Sequence, residues 1–132
     1  MTLFRLLSLS MLAALALVCG CQSKVATPPP PAPDEAQLRA ESAFEEGLRL
    51  YESGHYFLAE EQFLSPAIWA ANRSVQLKSL KYLAFSYCVS ERPIQCRFAF
   101  ERALQIDPAF QLKSAELGHP LWGPVFAQAA RR

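Results

Sequence analysis

The chain carries almost no net charge: 13 Lys and Arg stand against 12 Asp and Glu. With no basic stripe, nucleic acid has no electrostatic footing, and no acidic block suggests a cation buffer. Two histidines occur, His55 just after a turn glycine and His119 just before a proline. Neither stands with Asp, Glu or Cys at metal-ligand spacing, so both read as turn or surface residues. There is no Gly-rich phosphate loop and no nucleophile motif. Glu45-Glu46 and Glu60-Glu61 are adjacent pairs whose members point to different sides of a helix, and a solvated face is their default reading. No catalytic, cofactor-binding or metal residue is assigned, and the expectation is a protein that is not an enzyme. Alternation of period two is also missing over any useful length, which argues against strands.

Long apolar runs are scarce. The one at the start, Leu6–Val18, falls short of the roughly 20 residues that a membrane-spanning helix needs. It follows a single early cation, Arg5, and leads into Val18-Cys19-Gly20-Cys21-Gln22, which has the form of an export signal. A lipoprotein peptidase wants an apolar residue three before the cysteine and a small one just before it. Val18 and Gly20 fill those places for Cys21. Cys19 would have bulky Val18 beside it and is rejected. The expectation is a signal peptide over residues 1–20 and lipidation at Cys21, against a cleaved secretory signal or an uncleaved anchor. Arg5 is the only charged residue ahead of Cys21, so the remainder is balanced in sign and long enough for one small domain. An Asp after the anchor holds lipoproteins at the inner membrane. Gln22 stands there instead, which favours the outer membrane, facing the periplasm.

The stretch 22–34 holds Thr27-Pro28-Pro29-Pro30-Pro31-Ala32-Pro33. Proline at this density cannot pack into a core and prefers the extended polyproline form, reaching up to about 40 Å at roughly 3.1 Å per residue. Residues 21–34 thus read as a lipidated spacer that lifts a domain, residues 35–132, off the membrane. An SH3-type ligand is the other reading, and it has no reader in a periplasm. Once Cys19 and Cys21 are set aside, Cys88 and Cys96 remain as a pair in an oxidising compartment. They flank Arg92 symmetrically, one near the end of a helix and the other near the start of the next. Antiparallel pairing of those helices would bring them within reach of a disulfide. A staple across the hairpin, two free buried thiols and a redox site are the readings open.

From Asp34 onward the pattern is helical, and the fold class expected is all-α. Ala36, Ala40, Ala43, Gly47 and Leu50 recur at steps of three and four, as do Leu77, Leu80, Ala84 and Tyr87. Aligning Gly47 with Ala84 sets Leu50 on Tyr87, Ala59 on Cys96 and Phe63 on Phe100, a shift of 37 residues. Small residues meet small ones, where the helices of a hairpin cross closely, and large ones fill the gap to the next hairpin. Gly54 supplies a turn, and Pro108 stops the last helix. This skeleton resembles the tetratricopeptide repeat, whose unit is two antiparallel helices in about 34 residues. The longer period falls around Ser65-Pro66-Ala67-Ile68-Trp69-Ala70, where Pro66 predicts a kink or a restart capped by Ser65. Two hairpins are few for a repeat array, so the tail is expected to cover them. A short turn at 114–117, a bend, and a capping helix to about Ala130 are expected, with Trp122, Val125, Phe126 and Ala129 as its stripe.

The repeat resemblance implies a partner groove lined by the first helix of each hairpin. The positions implied are Phe44, Leu48, Tyr51 and Glu52, then Lys78, Lys81, Phe85 and Val89; the other reading makes Phe44, Leu48 and Phe85 ordinary core. The lipid-acceptor site, the proline spacer, the Tyr87-Cys88…Gln95-Cys96-Arg97 hairpin and the tail Glu116-Leu117-Gly118-His119-Pro120-Leu121-Trp122-Gly123-Pro124-Val125-Phe126 together resemble the TssQ-type lipoproteins of type VI secretion clusters. That resemblance covers about residues 40–130. It implies an accessory scaffold or assembly adaptor at the envelope and carries no active-site residues. A pilotin or outer-membrane assembly factor, or a regulator of a peptidoglycan enzyme, are the alternatives. The partners expected are an envelope or secretion-machine protein and the membrane through the lipid. A second copy, as a homodimer, would complete the short stack. The tail either caps the fold or docks a partner.

Overall fold

The computed structural model describes residues 34–131, and among them every regular element is a helix and no strand occurs. The signal, Cys21 and the spacer prolines lie outside the described residues. Helix α1 runs Glu35–Glu52. Asp34 caps it, its Oδ1 accepting from the Ala36 N–H at 3.1 Å, which satisfies one free donor of the first turn. The chain reverses at Ser53-Gly54-His55 into α2, Tyr56–Phe63. A short α3, Pro66–Ala70, is followed by α4, Arg73–Val89, and α5, Pro93–Ile106. The tail adds α6, Ser114–Leu117, and α7, Gly123–Ala129, close to the turn, bend and helix expected.

The reversals from α1 to α2 and from α4 to α5 are built alike. At the first, the Gly54 N–H donates to the Tyr51 carbonyl at 3.0 Å and the His55 N–H to that of Leu50 at 2.9 Å. At the second, Glu91 donates to Cys88 at 3.3 Å and Arg92 to Tyr87 at 2.9 Å. Each donor and each acceptor is displaced by 37 residues. Gly54 has φ 78° and Glu91 has φ 59°, a left-handed conformation that glycine adopts freely and glutamate only under strain. Across the second reversal Cys88 and Cys96 form a disulfide, with Cα atoms 5.2 Å apart.

Close crossing explains the small residues. Ala59, Ala84 and Cys96 have no exposed surface, and a Cβ on Gly47 would stand 2.6 Å from the Phe63 ring. Phe63 and Phe100 are fully buried, each worth roughly 1.5–3 kcal/mol of transfer free energy. Helix α2 packs against both α1 and α4, and α5 packs against α4 and α7. One part-buried pair ties the hairpins together. Glu60 of α2 accepts from both terminal guanidinium nitrogens of Arg92, whose guanidinium carbon also lies 4.7 Å from the ring centroids of Phe57 and Tyr87. Glu60 is therefore buried and paired, not on the solvated face expected of it.

The insert is a restart, as Pro66 requires. Pro66 sits in the first turn of α3, where its missing N–H would have had no helical partner. Ser65 holds the N-cap position, but its side chain makes no cap bond; only its carbonyl takes part, accepting from the Ile68 N–H at 3.0 Å. Ile68 is fully buried with Ala40 of α1 and Val75 of α4, so α3 is wedged against both helices. Asn72 then caps α4, its Oδ1 accepting from the Val75 N–H at 3.1 Å. The Asn72 N–H donates to Gln37 Oε1 at 3.0 Å, tying the start of α4 to α1.

Candidate partner-binding site

Three of the eight expected groove residues come together. Phe44 and Leu48 of α1 and Lys78 of α4 line a cleft of about 320 Å³ between those helices. Phe44 is its floor, with its ring centroid 6.0 Å from those of Phe63 and Tyr82. Leu48, one turn on, continues the same stripe. The Lys78 ammonium lies 5.9 Å from the Phe44 centroid, and the residue is exposed.

Tyr51 and Glu52 lie beyond the cleft, toward the end of α1. Tyr51 is half-buried and edge-on to Tyr56 and Tyr82 at 5.5 and 5.4 Å; burial above all pushes its phenol up to about 12. Glu52 is exposed. Val89, the last residue of α4, is half-buried against the core.

Lys81 and Phe85 are covered by this chain's own tail. Lys81 Nζ pairs with Glu116 Oε1 at 2.7 Å. Phe85 is only 3% exposed and stacks on Trp122 with centroids 4.1 Å apart. Trp122 Nε1 donates to the Glu116 carbonyl at 2.9 Å. His119 stacks on the same indole, rings parallel and centroids 3.3 Å apart, so it is a half-buried packing residue of the turn. The apolar face of α4 at Phe85 is thus covered by a large aromatic of the tail. Burial works against ionisation of Glu116, but the bonds from Lys81 and from the Lys113 N–H outweigh it and hold the carboxyl below its ordinary value.

Six residues that line the cleft were not among those expected, and two of them are charged. Glu41 and Glu45 stand exposed along its α1 edge. Their signal is the four-residue step from Gln37 to Glu41 to Glu45, a polar row beside the Phe44–Leu48 stripe. Glu46 points elsewhere and pairs with Arg49 at 2.6 Å, a hydrogen bond that holds its carboxyl below the ordinary value. A smaller hollow of about 230 Å³, between Leu104, Pro108 and Ala129, marks the seam where the tail meets α5. Among the described residues no cluster of His, Cys, Asp and Glu could hold a metal ion. The cleft offers shape, apolar area and charge. Compared with protein-family models, with curated proteins and with solved structures, the chain matches none.

Proposed function

We propose that the chain is an envelope adaptor: a tetratricopeptide-like stack of two hairpins, acylated at Cys21 and held at the periplasmic side of the outer membrane. It works by contact with a protein component of a type VI secretion machine and not by catalysis. One observation carries this reading, the open cleft with an apolar floor between the first helices of the two hairpins. The matching turn bonds, and the seating of α2 between α1 and α4, support the stack. Stacked repeats bury their faces on their neighbours in this manner. The tail over Lys81 and Phe85 closes one end, leaving the α1–α4 half free for a partner. The lipid would raise the local concentration of that half near the membrane, and the spacer would set its reach.

The test is crosslinking in envelope membranes with two variants. Cys21→Ser is expected to lose acyl label and leave the membrane fraction. Leu48→Asp, at a half-buried surface position, is expected to stay folded by circular dichroism and to lose about tenfold or more of its crosslink to a sheath, baseplate or spike-associated protein. A Leu48→Asp protein that keeps that crosslink would overturn the reading.

A further inference from the structure

The two edges of the α1–α4 cleft differ in charge. On the α1 edge stand Glu41 and Glu45, one helical turn apart. Like charges at that spacing repel. Among the described residues no Lys or Arg lies within ion-pair distance of either; the cations of α1 are used elsewhere, Arg39 on Glu35 and Arg49 on Glu46. Among the described residues the Glu41 carboxylate accepts only from the Gln37 amide, at 2.7 Å. On the α4 edge the one charge is Lys78, which also has no carboxylate partner among the described residues. Between the edges the floor is apolar: Phe44, Leu48 and, buried beneath, Val75.

From this arrangement we infer that the cleft takes a cationic amphipathic helix of a partner protein. Its apolar side chains seat on Phe44 and Leu48, and a Lys or Arg row runs along Glu41 and Glu45. The inference rests on the adaptor reading above and names the chemistry of the partner segment. A helix fits because its own cations at four-residue spacing match the rise between Glu41 and Glu45. Lys78 sets the direction of docking: it repels a second cationic edge, so the helix turns its neutral flank toward α4.

The experiment measures binding of the full chain to two synthetic amphipathic helices of roughly 18 residues. They share Leu positions, and their polar face carries Lys in one and Glu in the other. The Lys helix is expected to bind about tenfold more tightly or better at low ionic strength, with the advantage shrinking as salt rises. Glu41→Lys with Glu45→Lys should remove that preference, and Lys78→Gln should leave it or enlarge it. All three side chains are exposed, so the fold is retained, and a thermal melt checks this. Equal binding of the two helices, or a preference untouched by the Glu41→Lys and Glu45→Lys pair, overturns the inference. If Leu48→Asp still abolishes the envelope crosslink in that event, the cleft remains a docking site and only its ligand class is wrong. Retention of the Lys preference by Leu48→Ser, which removes the apolar seat without adding charge, would show surface charge acting without the cleft, and also overturns it.

Discussion

At position 91 the second reversal places a glutamate at φ 59°, where the first has Gly54 at φ 78°. A side chain in the left-handed region costs roughly 1–2 kcal/mol, and glycine returns part of that through its freer unfolded state. Glu91→Gly is therefore expected to stabilise the protein by about 0.5–1 kcal/mol, seen as a higher urea midpoint with an unchanged slope. An unmoved midpoint would mean that the turn carries no strain. Gly54 was legible as a turn because glycine announces one. Glu91 was not, since nothing local marks a glutamate as left-handed, although its place one period after Gly54 does. Glu60 and Glu61 teach the same limit. Their sequence separates them onto two sides of a helix, but only the arrival of Arg92 from the other hairpin decides which side is buried.

Elements were easier to read than their surroundings. Gly47 reports a close approach because a Cβ there would meet the Phe63 ring, Ala59, Ala84 and Cys96 are small residues with no exposed surface, and Phe63 and Phe100 report the space left over. The second hairpin also carries its own staple. Cys88 and Cys96 are separated by 8 residues, and closing so short a loop stabilises by roughly 2 kcal/mol in the chain-entropy account. Reductant, or Cys88→Ser with Cys96→Ser, should lower stability by about that amount in urea titrations. Alkylation of unfolded, unreduced protein should find neither thiol free. Labelling of both without reductant would remove the disulfide from the native protein. What remained illegible was contact between elements distant in the chain. The expectation of Lys81 and Phe85 in an open groove did not place the tail, itself expected as cover, on the face that holds them. In the structure Trp122 lies on α4 itself, because Phe85 offers its indole a flat partner.

On the scale of the molecule, the tail is clasped to the second hairpin by Lys81 and Glu116 next to the Phe85–Trp122 stack. The folded-state pKa of Glu116 lies below its unfolded value. Its contribution to stability is therefore complete above the unfolded pKa and disappears as pH falls through the folded one. Acid titration of a Trp69→Phe background, leaving Trp122 as the reporter, should show an emission change in that range. Glu116→Gln should flatten it, and an identical curve for both would mean that the clasp does not hold the tail. A last consequence belongs to Ile68. Buried between Ala40 and Val75, it acts as a shim that sets how far α1 and α4 stand apart at their outer ends. On the adaptor reading proposed above, shaving it to alanine would let α1 and α4 close on each other and narrow the cleft without altering Phe44, Leu48 or either glutamate that lines it. The breadth of the cleft can thus be altered from behind its wall.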